Sequence, residues 1–145
     1  MYKHILIAID NSDLARKALA HGVSLAKAVG ARVTVVSVTE SWSTMAPPEV
    51  LKEPFVQEFE QAAVESARRI LDSAAVAAKE AGIDCSTLHV PDRFPAEGIL
   101  EAAVSTNCDL IVMGSHGRRG LKKFLLGSQA SEVITQSTVP VLVCR

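Results

Sequence analysis

Residues 108 to 128 read CDLIVMGSHGRRGLKKFLLGS. The apolar run Leu110 to Met113 leads directly into a stretch with four glycines, Gly114, Gly117, Gly120 and Gly127, and four cations, Arg118, Arg119, Lys122 and Lys123. The run suits a buried strand, and Ser128 stands where a helix would start, as its capping residue. Each glycine costs conformational entropy but lets the backbone turn through positive φ and lets a ligand approach bare amides. Gly127 and Ser128 are expected to present unpaired N–H groups at the positive end of a helix dipole, which favours anions. The expected ligand carries phosphate. A tight turn with a solvated basic face is the competing reading; it explains any one glycine better than it explains the set.

Outward from this stretch, strand patterns alternate with helix patterns. HILIAI (His4 to Ile9) is β-branched and ends at Asp10, Asn11 and Ser12, a cluster able to start a helix. Ala15, Ala18, Leu19, Gly22, Leu25, Ala26 and Val29 then recur at helical spacing until Gly30. ARVTVVSV (Ala31 to Val38) reads as a strand buried on both faces. Residues 39–54 are irregular and proline-rich. A long helix pattern follows from Phe55 to Ala81, then a strand at Ile83 to Val90, and a helix opening at Pro95 with Ile99, Leu100, Ala103 and Val104 as its stripe. After the glycine stretch come a helix over 128–136 and a last strand, VPVLVCR. Alternating strands and helices imply a doubly wound α/β domain with a parallel sheet and helices on both faces. Ligands of such sheets bind beyond the carboxyl ends of the strands, where strand order reverses. Asp10 and Gly114 both stand at such ends.

Bulk properties narrow the function classes. The chain has 145 residues and a net charge of −1, with 48% hydrophobic residues. One domain over 1–145 is expected, without the basic surplus that drives nucleic-acid binding. No run approaches the ~20 apolar residues of a membrane span, and the N-terminal run is too short for a signal peptide. A cytoplasmic protein is expected, with Cys85, Cys108 and Cys144 as separate buried thiols.

The sequence resembles the universal stress proteins along nearly its whole length. The resemblance rests on ILIAIDNSD, VVSV, the G-x2-G-x9-G-[ST] spacing of Gly114, Gly117, Gly127 and Ser128, and the terminal VPVLVCR. It implies a five-stranded parallel sheet in order 3-2-1-4-5, layered like the adenine nucleotide alpha hydrolase-like and flavodoxin-like folds. It also implies ATP, or AMP or another adenine nucleotide, and a homodimer. Carried across, Asp10 lies near the ribose and a possible water-bound Mg²⁺, with Ala8 and Ile9 alongside. Val38 meets adenine through its backbone, Met113 and Gly114 lie by the ribose, and Ser115, His116, Gly117, Gly127, Ser128 and Gln129 wrap the phosphates.

No Walker lysine, general base or carboxylate pair argues for efficient phosphoryl transfer, so a nucleotide-dependent stress or signalling module with slow or absent hydrolysis is expected. His116 is not expected to be catalytic, and Cys85 with His89 is too few ligands for a metal site. Trp42 would cover a base or meet a partner. Val139, Val141 and Val143 alternate along the last strand, and an unguarded apolar edge favours dimerisation there. The rivals are a nucleotide-free scaffold of the same fold, a flavin carrier, and a receiver-like phosphoacceptor using Asp10, Asp13 and Asp92.

Overall fold

A computed structural model describes residues 1–41, 46–117 and 125–145. The elements are β1 (His4–Ala8), α1 (Asp13–Val29), β2 (Arg32–Thr39), a 3₁₀ turn (Val50–Lys52), α2 (Pro54–Glu80), β3 (Cys85–Pro91), α3 (Pro95–Thr106), β4 (Leu110–Gly114), α4 (Ser128–Gln136) and β5 (Val141–Cys144). The strands form one parallel sheet in the order β3-β2-β1-β4-β5. Ile7 pairs with Val35 on one side and Val112 on the other, which fixes the register at the centre. Every residue of β1 is buried. That is why the run from Ile5 to Ala8 is continuously apolar rather than alternating.

The sheet separates two cores. Ile5, Ile7, Val33, Val35, Leu110 and Val112 pack on one face beneath Ala15, Ala18 and Ala26 of α1 and Leu71 and Ala74 of α2. Leu6, Val36, Ile111 and Met113 pack on the other beneath Ala96, Ile99 and Ala102 of α3 and Ala130 and Val133 of α4. Small alanines on the inner helix faces let the helix axes approach the sheet closely. Sequence punctuation sets the helix ends. Ser12 Oγ accepts the Ala15 N–H at 3.1 Å as the α1 N-cap, and Gly30 closes that helix at φ 74°. Prolines occupy the first turns of α2 and α3, where a missing N–H costs nothing.

The long second helix runs from Pro54 to Glu80, one residue earlier at each end than its apolar pattern suggests, because Pro54 can begin a helix and Ala81 already serves as the cap. Cys108 and Cys144 are buried thiols, but Cys85 is only half-buried, since β3 is an edge strand. The irregular segment contains the 3₁₀ turn, while Trp42 lies outside the described residues. No helix among the described residues is long and apolar enough to cross a membrane.

From β1 the chain moves to β2 and β3 on one side, then returns to β4 on the other. The order therefore reverses between β1 and β4, so a ligand crevice is expected beyond their carboxyl ends.

Candidate functional site

Three glycines and one aspartate shape this crevice. Asp10 follows β1, and its Oδ1 accepts the Ser12 N–H at 2.8 Å, which holds the carboxylate in an Asx turn at the start of α1. Asn11 Nδ2 donates to Ser66 Oγ at 2.9 Å, tying the same turn to α2. A Cβ on Gly117 would stand 2.7 Å from Asp10 Oδ2, so the chain leaving β4 passes directly over the carboxylate. A Cβ on Gly114 would stand 3.0 Å from Leu14 Cβ. A Cβ on Gly127 would stand 3.0 Å from Ser115 O and 3.1 Å from His116 Cα.

These distances correct the reason given for the glycines. Among the described residues the glycines at positive φ are Gly30 and Gly82. Gly114, Gly117 and Gly127 answer instead to lack of room, where three chain segments meet. Arg118, Arg119, Gly120, Lys122 and Lys123 lie outside the described residues.

Two expectations at the helix start are corrected as well. Gly127, not Ser128, is the N-cap of α4, and Ser128 is its first helical residue, because Gly127 holds the extended conformation a cap requires. The Gly127 N–H is not left for a ligand: it donates to Ser115 O at 2.7 Å. The donors that α4 offers to the crevice are those of its first turn, from Ser128 onward. Ser115 is itself fixed, donating its N–H to Cys144 O at 2.8 Å, and its Oγ lies 3.3 Å from His116 Nδ1.

Other anticipated residues take distinct places. Ala8 and Met113 are buried in the α3/α4 core and Ile9 in the α1/α2 core, so at the crevice they offer backbone rather than side chains. Val38 lies near the end of β2 and packs against Gly98 of α3. Gln129 does not aim its side chain at the crevice; its Oε1 accepts the Ala96 N–H at 2.9 Å. Gly98 and the Gln129 side chain were the features missed. A glycine inside a helical pattern signals a close packing contact, so Gly98 was legible, whereas nothing local ties Gln129 to Ala96.

Asp92 follows the edge strand β3, so β2 separates it from Asp10. Asp13 points elsewhere, 3.5 Å from Arg16. The acidic cluster of a receiver is therefore not assembled. His89 Nε2 lies 2.8 Å from Thr39 Oγ1, a structural pairing, with burial holding its pKa below the usual histidine value. No group of three or more His, Cys, Asp or Glu able to hold a metal occurs among the described residues. A separate open groove of about 700 Å³, lined by Leu88, Leu100, Val104 and Glu132 among others, lies against the outer side of α3, away from the glycines.

The fold and site define a doubly wound α/β protein with a glycine-rich junction at its topological switch point. The universal stress protein family model matches residues 1–145, and the chain belongs to that family. It is 37% identical over 145 residues to a universal stress protein of Thermus aquaticus, covering both chains completely. The solved structure of the hypothetical protein MJ0577 of Methanocaldococcus jannaschii superimposes with a TM-score of 0.83 at 30% identity, covering 99% of this chain and 96% of that one. A universal stress protein solved in complex with cAMP superimposes with a TM-score of 0.72 at 26% identity, over 99% of this chain and 97% of its own.

Proposed function

We propose that this protein binds ATP or a related adenine nucleotide in the β1/β4 crevice and works as a nucleotide-dependent stress or signalling module. The observation that carries the reading is the close approach of Gly117 to Asp10 and of Gly127 to Ser115, which brings backbone rather than side chains together at the carboxyl ends of β1 and β4. Kinship with a family member solved with cAMP supports it.

In this reading the first-turn amides of α4, at Ser128 and Gln129, hold phosphate with the helix dipole behind them. Ser115, His116 and Gly117 line the approach, and Gly127 lets the first turn of α4 lie close against them. The backbone of Met113 and Gly114 and the Asp10 carboxylate face the ribose, while Ala8, Ile9 and the Val38 backbone border the base. Asp10 already accepts the Ser12 N–H, and the described residues gather no metal-binding group around it. A magnesium ion would therefore be shared between Asp10, water and the phosphates, where it neutralises phosphate charge. Hydrolysis is slow or absent in this reading, the protein is cytoplasmic, and two copies associate through the β5 edge at Val141 and Val143; Val139, expected on the last strand, lies before it, because β5 begins only after Pro140.

The deciding experiment is mass analysis of small molecules released by denaturing freshly purified protein, with calorimetric titration by ATP alongside. Release of an adenylate and saturable uptake are expected. No uptake at millimolar ATP would overturn the reading.

A further inference from the structure

Gln129 is the second residue of α4, in the turn assigned above to phosphate, yet its side chain reaches away to another helix. Its partner, Ala96, is the second residue of α3. That helix begins with Pro95, which has no N–H, and its N-cap Phe94 makes no side-chain capping bond. The Ala96 amide is thus the first orphan donor of α3, and a side chain from a different helix satisfies it. Ala96 and Ala130 are 0% and 1% exposed in the same core, and their small size lets the two helix starts meet. Beyond Ala96, a Cβ on Gly98 would stand 2.6 Å from both methyls of Val38. That close approach holds the α3 turn against the sheet, and the Gln129 acceptor joins its Ala96 amide to α4.

We propose that Gln129 is a positioning residue: its side chain ties the phosphate-binding turn of α4 to the first turn of α3, so that phosphate occupancy tightens the Gln129–Ala96 bond. The inference rests on the nucleotide reading. Among the described residues, the hydrogen bonds of Gly127 N–H to Ser115 O at 2.7 Å and of Ala96 N–H to Gln129 hold the α4 turn, beside the buried Ala130. Donors converge on an anion without an ordering cost only if their backbone is fixed beforehand. Releasing one tether shifts that cost onto phosphate binding. By linkage, a phosphate that fixes the turn strengthens the tether in return.

The test uses the full chain and Gln129→Met, which keeps length and loses the acceptor. In the wild type, ATP is expected to slow exchange of the Ala96 amide hydrogen, measured by NMR, and adenosine is not. Gln129→Met is expected to weaken ATP binding about fivefold, the worth of one neutral hydrogen bond, with adenosine affinity within twofold. If the variant melts earlier but binds both ligands as the wild type does, or loses affinity for both equally, Gln129 only caps α3 and the inference is wrong. If the variant does not fold, the wild-type exchange measurement decides alone. A wild type that takes up neither ligand defeats the nucleotide reading itself, and this inference falls with it.

Discussion

Gly117 lies so close to Asp10 that a methyl group in place of its hydrogen would stand 2.7 Å from Oδ2. Real Cβ atoms do not approach oxygen so closely, so one of the two segments must yield. The carboxylate is the short arm of an Asx turn, held through Oδ1 by the Ser12 N–H. Gly117→Ala is therefore expected to swing Asp10 off Ser12. Two readouts follow: faster hydrogen exchange at the Ser12 amide, and about fivefold weaker nucleotide binding from one hydrogen bond lost on the ribose side. An unchanged Ser12 amide would show that the carboxylate does not need that gap.

Gly127 presents a harder obstacle, because its neighbours are backbone atoms of Ser115 and His116. Gly127→Val should push the first turn of α4 off the end of β4, breaking the Gly127–Ser115 hydrogen bond at a cost of about 1–3 kcal/mol. Urea denaturation measures that loss, and the purified variant is expected to carry no nucleotide. A variant that retains wild-type nucleotide content would mean that phosphate does not rest on this turn.

Gly98 and Val38 offer a test by compensation. Gly98→Ala places a Cβ 2.6 Å from both Val38 methyls, an overpacking expected to destabilise the fold by about 1–3 kcal/mol. Val38→Ala in the same chain makes room, so the double variant should be more stable than the sum of the single effects implies. Strict additivity in chemical denaturation would show that the two residues do not press on one another.

His4 predicts a pH dependence of stability. Its ring is 7% exposed, with Nε2 2.8 Å from Thr34 Oγ1 and Nδ1 buried without a hydrogen-bond partner among the described residues. Burial first, then the charge of Arg32, hold its pKa below 6.5, against the opposing pull of Thr106 O, Asp109 and Asp84. The unfolded chain therefore binds more protons between the lowered folded value and 6.5, and stability rises with pH across that window. The contribution is complete above 6.5 and is lost as pH falls through the folded value. Thermal melts between pH 5 and 8 should show this slope, shallower in His4→Val. His89, shifted the same way, should supply a remainder.

The edge of the sheet predicts an assembly state. Among the described residues β5 pairs with β4 alone, and Val141 and Val143 are half-buried while Leu142 is 39% exposed. Light scattering at micromolar concentration should find a dimer for the wild type and a monomer for Leu142→Lys, since lysine on an edge strand opposes pairing. A monomeric wild type would remove the edge from the account.

The amino-acid sequence by itself determined the elements and their order. Apolar runs of strand length, three-and-four spacing, and the punctuation at Ser12, Gly30 and Pro95 act over a few neighbours, so they can be read locally. The resemblance of ILIAIDNSD and of the glycine spacing to a known family added the strand order, which periodicity cannot supply because it carries no information about which strands lie side by side. Tertiary structure alone decided why the glycines are glycines. It showed that Gly117 yields to Asp10, Gly127 to Ser115 and Gly98 to Val38, contacts between segments remote in the chain, where the absence of a side chain is set by what arrives from elsewhere. It also showed the Gln129 side chain accepting the Ala96 N–H, because a hydrogen bond across 33 residues depends on where two helix starts meet and leaves no trace in either local sequence.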